Sequence, residues 1–251
     1  MTQDVYLLLA HAGRQQAGIT WCRIVWIMLF LEVNVIRPRV ITYVRHYVSL
    51  SARKVETGIR EMNVNQPPGQ DGTPTRFWRL FPRNLVPLIL RILNTLLFCS
   101  TFPDCFKDCT ALPLYKGKGA RTDPKSYRPI SILSPLSKMM AGLMHHRITT
   151  FLQRWRLPSP HQHGFRNSHS TGSAVIKFTN DCFKAGHPRL MTGAVFLDYR
   201  SEFPSVPIPA LTYKLRRYGI RGRVHKWLCS YLECWPMKVS IGEASSSPTI
   251  S

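Results

Sequence analysis

The chain has 251 residues, enough for one large domain or two small ones with a real core, and 44% hydrophobic content excludes a wholly disordered chain. Lys and Arg number 34 against 13 Asp and Glu, a formal net charge of +21 that points to acidic partners. No apolar stretch reaches the length of a spanning helix, which excludes a multi-span membrane protein, and seven cysteines without an even, closely spaced framework suit a reducing, intracellular setting.

Residues 1–50 show no clean period, and the apolar run Ile24–Leu31 is too short to span a bilayer and lacks the flanks of a secretory signal. A poorly ordered leader over 1–54 is expected. Turn chemistry fills Pro67-Pro-Gly-Gln-Asp-Gly72, after which Leu85, Leu88, Ile89, Ile92 and Leu96 recur at helical spacing until Phe102-Pro103. Thr110–Tyr115 reads as a short strand feeding the basic turn Lys116-Gly-Lys-Gly119. Helices are expected over 134–156 and 168–185, and a buried strand over Thr192–Leu197, broken by Asp198. Leu211, Leu215 and Tyr218 mark a basic helix, and Lys238–Ile241 a last strand. The mixture predicts an α+β or α/β fold.

Charge is concentrated. Residues 110–180 hold 11 Lys and Arg and one acid, Asp123, while 214–226 hold six Lys and Arg and no acid. Such blocks suit nucleic-acid phosphates better than a merely solvated face. Tyr127, Trp155, Phe165 and Phe178 lie among the basic residues and are open to either base stacking or the core. Cys105-x3-Cys109 lacks a second ligand pair and reads as structural thiols. His161, His163 and His169 sit in a Pro/Ser/Asn-rich turn that suits a polar loop facing phosphate rather than a metal.

Four blocks in order, Leu112-Pro-Leu-Tyr-Lys-Gly-Lys-Gly119, Asp123-Pro-Lys-Ser-Tyr-Arg-Pro-Ile-Ser-Ile-Leu133, His163-Gly-Phe-Arg166 with Ser170-Thr171, and Phe196-Leu-Asp-Tyr-Arg-Ser-Glu-Phe203, resemble the reverse transcriptases of non-LTR (LINE-like) retrotransposons. The resemblance extends over about residues 55–251, through Pro68–Gly72 upstream and Tyr218–Gly222 and Trp227–Leu232 downstream. It implies a right-hand polymerase fold, with fingers over 55–190 and part of a palm over 191–251. It implies RNA or DNA primer–template and deoxynucleoside triphosphates as partners, with no membrane.

By the same resemblance, Lys116 and Arg128 occupy the positions that hold the incoming triphosphate, and Arg128 can grip phosphate oxygens in a bidentate fork. Gly164, Phe165 and Arg166 match a template-contacting turn, and Phe203 the gate that senses the sugar. Asp198 stands where the family places its first catalytic, Mg²⁺-binding aspartate. Two-metal phosphoryl transfer needs several carboxylates. The family supplies the others from an adjacent Asp-Asp pair on a later hairpin, whereas the acids after Asp198 are the isolated Glu202, Glu233 and Glu243. Glu202 and Pro204 also depart from the family's pattern around Phe203. The expectation is therefore a polymerase domain fragment, truncated before the Asp-Asp hairpin and catalytically incomplete as this chain. The alternative is a non-enzymatic RNA- or DNA-binding protein that retains the fingers.

Overall fold

The computed structural model describes residues 49–80, 82–185, 193–196 and 206–250. Asp198, Phe203 and most of the 1–54 leader lie outside them. The described elements are α1 (Ala52–Arg60), α2 (Thr75–Leu80), α3 (Pro82–Cys99), β1 (Cys109–Tyr115), β2 (Tyr127–Ile132), α4 (Pro135–Arg154), α5 (Thr171–Ala185), α6 (Ile208–Arg217), α7 (Gly222–Leu232), β3 (Pro236–Ile241), β4 (Ala244–Ser245) and β5 (Thr249–Ile250). This is an α+β fold with a small open sheet.

Helical spacing builds one apolar core. Val55 and Ile59 of α1 share one buried cluster with Ile89, Leu93 and Leu97 of α3, the Met140, Met144, Ile148 and Leu152 stripe of α4, and Leu211 and Leu215 of α6. Phe102 closes one end, with ring contacts to Trp227 and Tyr231 of α7 at 5.5 and 4.9 Å between centroids. The α3 stripe differs from the one expected: Leu88 and Ile92 are 56% and 40% exposed, while Val86, Leu93 and Leu97 are buried. A helix this apolar all round offers two adjacent stripes, and packing against α1 and α7 selects between them.

The sheet order is β2-β1-β3-β4, with β5 also pairing β3. β1 runs antiparallel to β2 and parallel to β3, so strands from the expected fingers and palm stretches share one sheet. Pro113 sits directly opposite Pro129. Neither has a backbone N–H, so this must be a pair that points its polar groups away from each other. Pro113 thus faces the β3 side, and the β1–β3 pairing ends at Ala111. Pro129 faces the edge left open among the described residues, where a missing donor discourages further strand addition. The Pro67–Gly72 turn docks between β1 and α4: Gln70 Nε2 donates to Thr110 Oγ1 at 3.3 Å, and Lys138 Nζ donates to Gln66 Oε1 at 3.2 Å.

Two expectations change. The strand expected over Thr192–Leu197 is not formed by its described residues 193–196, where Val195 and Phe196 are 70% and 63% exposed. Among described residues their ring contact is Phe178 of α5, 5.7 Å from Phe196, and α5 itself buries no residue. The 54/55 boundary falls inside α1, whose Val55 and Ile59 are fully buried in the core.

Candidate nucleic-acid interface

The β1–β2 hairpin carries the densest cationic feature. Tyr115 and Tyr127 end the strands as register partners, rings 5.5 Å apart, and Lys116 N–H donates to Ser126 O at 2.8 Å to close the loop 116–126 above them. Within that loop Gly117 and Gly119 take φ of 78° and 88°, the left-handed region that glycine enters without strain. Four loop carbonyls turn inward: Ser126 O to Lys116 N–H, Lys125 O to Lys116 Nζ, Gly119 O to the Tyr115 hydroxyl at 2.6 Å, and Arg121 O to the Tyr127 hydroxyl at 2.8 Å. The one local carboxylate, Asp123, accepts from Lys125 N–H at 2.9 Å and so caps the short 3₁₀ turn Pro124–Ser126. The loop's carbonyl poles therefore face the scaffold. Lys118, Arg121, Lys125 and Arg128 are exposed, and none joins an ion pair among the described residues.

Lys116 and Arg128 come together in this hairpin. Arg128 lies opposite Leu114, and Lys116 follows two residues later, so strand alternation puts both cations on one sheet face. The ammonium of Lys116 also reaches the carbonyl of Lys125, which gives it a loop-bracing part that the sequence did not show.

The His163–Arg166 turn lies between α4 and α5. Its left-handed residue is Phe165, at φ 55°, whose half-buried ring packs against the core. Arg166 Nη1 donates to Ser159 O at 2.6 Å and to Gln162 O at 3.1 Å, and burial holds its guanidinium below the usual arginine range. Arg166 braces its own loop. Ser170 and Ser173 cap α5 reciprocally, each side-chain oxygen accepting the other's backbone N–H, at 3.1 and 2.9 Å. His163 Nδ1 lies 2.8 Å from Ser173 Oγ, and His169 Nδ1 lies 2.9 Å from Asn167 O, so both rings serve the loop.

Of the four aromatics left open, Trp155 and Phe165 pack on the core, Tyr127 pairs with Tyr115, and Phe178 meets Phe196. Sequence reasoning passed over the hydroxyls of Tyr115 and Tyr127. Their signal was available: the two tyrosines bracket the basic loop symmetrically.

A family model described as reverse transcriptase (RNA-dependent DNA polymerase) matches residues 116–249, more than half of the chain and all of the hairpin's basic loop. The chain belongs to the reverse transcriptase family. It is similar to the probable RNA-directed DNA polymerase from transposon BS of Drosophila melanogaster, with 28% identity over 207 residues, 80% of this chain and 22% of that protein. It is also similar to the RNA-directed DNA polymerase from mobile element jockey of Drosophila melanogaster, 28% identical over 199 residues, 79% of this chain and 22% of that protein. The probable polymerase from transposon X-element of the same species is 27% identical over 162 residues, 64% of this chain and 18% of that protein. The chain thus spans about a fifth of the length of these curated relatives.

Reverse transcriptases as a family act on a nucleic-acid template and nucleotides and generally use a divalent metal ion. Among the described residues no group of three or more His, Cys, Asp or Glu side chains could hold such an ion, so they do not supply its donor set. No helix among them is long and apolar enough to cross a membrane.

Proposed function

We propose that this chain is the fingers-like part (55–190) and a portion of the palm (191–251) of a non-LTR retrotransposon reverse transcriptase, and that it binds primer–template and nucleoside triphosphate phosphates. The observation that carries this reading is the β1–β2 loop, which turns four carbonyls inward, ties the Asp123 carboxylate to the Lys125 N–H and leaves Lys118, Arg121 and Lys125 outward. Lys116 and Arg128 hold the triphosphate from one sheet face. The Gly164–Arg166 turn lies along the template through its backbone, since Phe165 and Arg166 are engaged within the protein. Phe203 serves as the sugar gate and Asp198 as the ligand of a Mg²⁺ ion, which supplies charge neutralisation at the transferring phosphoryl group when bound.

The test is primer–template affinity as a function of salt. Neutralised phosphates release counterions, so affinity should fall by orders of magnitude between low and several hundred millimolar salt. Lys116→Gln and Arg128→Gln should each flatten that slope. Absent or salt-independent binding overturns the reading. The alternative, a basic binding protein without chemistry, draws on the isolated Glu202, Glu233 and Glu243 after Asp198. Binding that is indifferent to divalent metal would favour it.

A further inference from the structure

Arg121 is held at both ends. Its backbone carbonyl accepts the Tyr127 hydroxyl at 2.8 Å, and its guanidinium carbon lies 5.4 Å from the centroid of the Tyr115 ring. Tyr115 also donates its hydroxyl to Gly119 O at 2.6 Å, two residues away along the loop. The two tyrosines are register partners in a pair whose backbone groups point apart, the arrangement that brings facing side chains closest. Gly119 leaves no slack: a Cβ there would stand 2.4 Å from Ser126 Oγ, on a buried residue.

We infer that Arg121 is a phosphate-binding residue, and that Tyr115 and Tyr127 are its positioning residues. This rests on the phosphate-binding reading above and extends it to residues that the resemblance does not single out. The physical basis is pre-organisation. A loop arginine ordinarily loses backbone and side-chain freedom when it grips an anion. Here the two phenol hydroxyls fix the loop on either side of Ala120, and the Tyr115 ring carries the guanidinium by cation–π attraction, so much of that ordering is complete before the ligand arrives. The ring leaves the fork's N–H donors available, and a guanidinium offers them to phosphate in pairs. The phosphate belongs either to a nucleoside triphosphate or to a nucleic-acid strand.

The experiment uses the full chain with two probes, dATP and a fluorescently labelled RNA–DNA primer–template, and reads hydrogen exchange at the amides of residues 117–126. Tyr115→Phe and Tyr127→Phe each remove one hydroxyl and keep the ring. Each should quicken exchange in the loop and weaken binding about 3- to 10-fold, the scale of one hydrogen bond. Arg121→Gln should weaken binding at least as much and leave loop exchange unchanged. In a Tyr127→Phe background it should cost less than it does alone, because the three residues act as one unit. A loss confined to dATP assigns the phosphate to the nucleotide, and a loss confined to primer–template assigns it to the strand. Unchanged affinity for both probes in Arg121→Gln overturns the site. Quickened exchange with unchanged affinity in both Phe variants overturns the positioning role. Failure of the unaltered chain to bind either probe overturns the underlying phosphate-binding reading, and this inference with it.

Discussion

Ser230 Oγ accepts the backbone N–H of Phe102 at 3.0 Å and lies 3.4 Å from the Phe102 carbonyl, tying α7 to the segment that enters β1 across 128 residues of sequence. The Phe102 ring is held by Trp227, Tyr231 and Trp235, with centroids 5.5, 4.9 and 5.9 Å away. The parallel β1–β3 pairing begins a few residues beyond each side of this knot, at Cys109 and Met237. One serine and one ring therefore set the register between an early strand and a late one.

Ser230→Ala should cost about 1–3 kcal/mol, because it leaves the Phe102 N–H without its acceptor. Phe102→Ala should cost about 3–5 kcal/mol, by loss of the ring and creation of a cavity. Urea melts of both variants provide the check. A Ser230→Ala midpoint equal to that of the unaltered chain would show that the tie is incidental.

Gly69 marks a close approach of the Pro67–Gly72 turn to the start of α4. A Cβ at this position would stand 2.7 Å from both the N and the Cα of Ser134, the residue whose hydroxyl caps α4 by accepting Ser137 N–H. Backbone atoms at a helix cap cannot step aside as a flexible side chain can. Gly69→Ala should therefore destabilise the chain by about 1–3 kcal/mol and loosen the Gln70–Thr110 and Lys138–Gln66 contacts. Gly72→Ala is the informative comparison: its φ is 63° with open space around it, so its cost is backbone strain alone. Equal thermal midpoints for Gly69→Ala and the unaltered chain would refute the close approach.

Much of this fold was legible where local pattern and tertiary demand agree. The helices over 134–156 and 168–185 are α4 and α5, and the strand before the basic turn is β1. β2 was not read, because Arg128 and Pro129 interrupt its apolar pattern and its pairing with β1 supplies what propensity lacks. The α3 stripe was misassigned since periodicity cannot choose between two apolar faces. At the candidate site the cations were legible as types. Their common sheet face follows from register, and the tyrosine hydroxyls matter only once the strands pair.

His163 should make the α4–α5 loop sensitive to acid. Ser173 Oγ donates to Ser170 O at 2.8 Å, which directs its hydrogen there and makes His163 Nδ1 the donor in their shared contact. Nε2 is then the unprotonated nitrogen, buried without a partner among the described residues. Burial first, then the nearby His169, Arg166, Lys177 and His161, hold the imidazole below its usual range. A folded value below the unfolded one means that the unfolded chain takes up the proton more readily, so stability is present above the unfolded value near 6.5 and is lost as pH falls below it. The thermal midpoint should drop between pH 7.5 and pH 5 by less in His163→Gln than in the unaltered chain, by about a degree at most for a domain of this size. Parallel pH profiles for the two would exclude His163 as the source.

Carboxylate count decides whether residues 1–251 can do chemistry unaided. Clamping two divalent ions on an attacking hydroxyl and a leaving pyrophosphate takes several carboxylates directed into one site. Of the acids after Asp198, Glu233 caps the end of α7 and Glu243 lies in the turn joining β3 to β4, two separate places in the fold. Glu202 is four residues from Asp198, and Pro204, two residues further on, lacks a backbone donor and restricts the preceding Phe203. The 251-residue polypeptide should therefore bind primer–template yet show no Mg²⁺- or Mn²⁺-dependent extension, and Asp198→Ala should leave that absence of extension unchanged. Primer extension that Asp198→Ala abolishes would show instead that the carboxylates present suffice, with Glu202 the first to substitute.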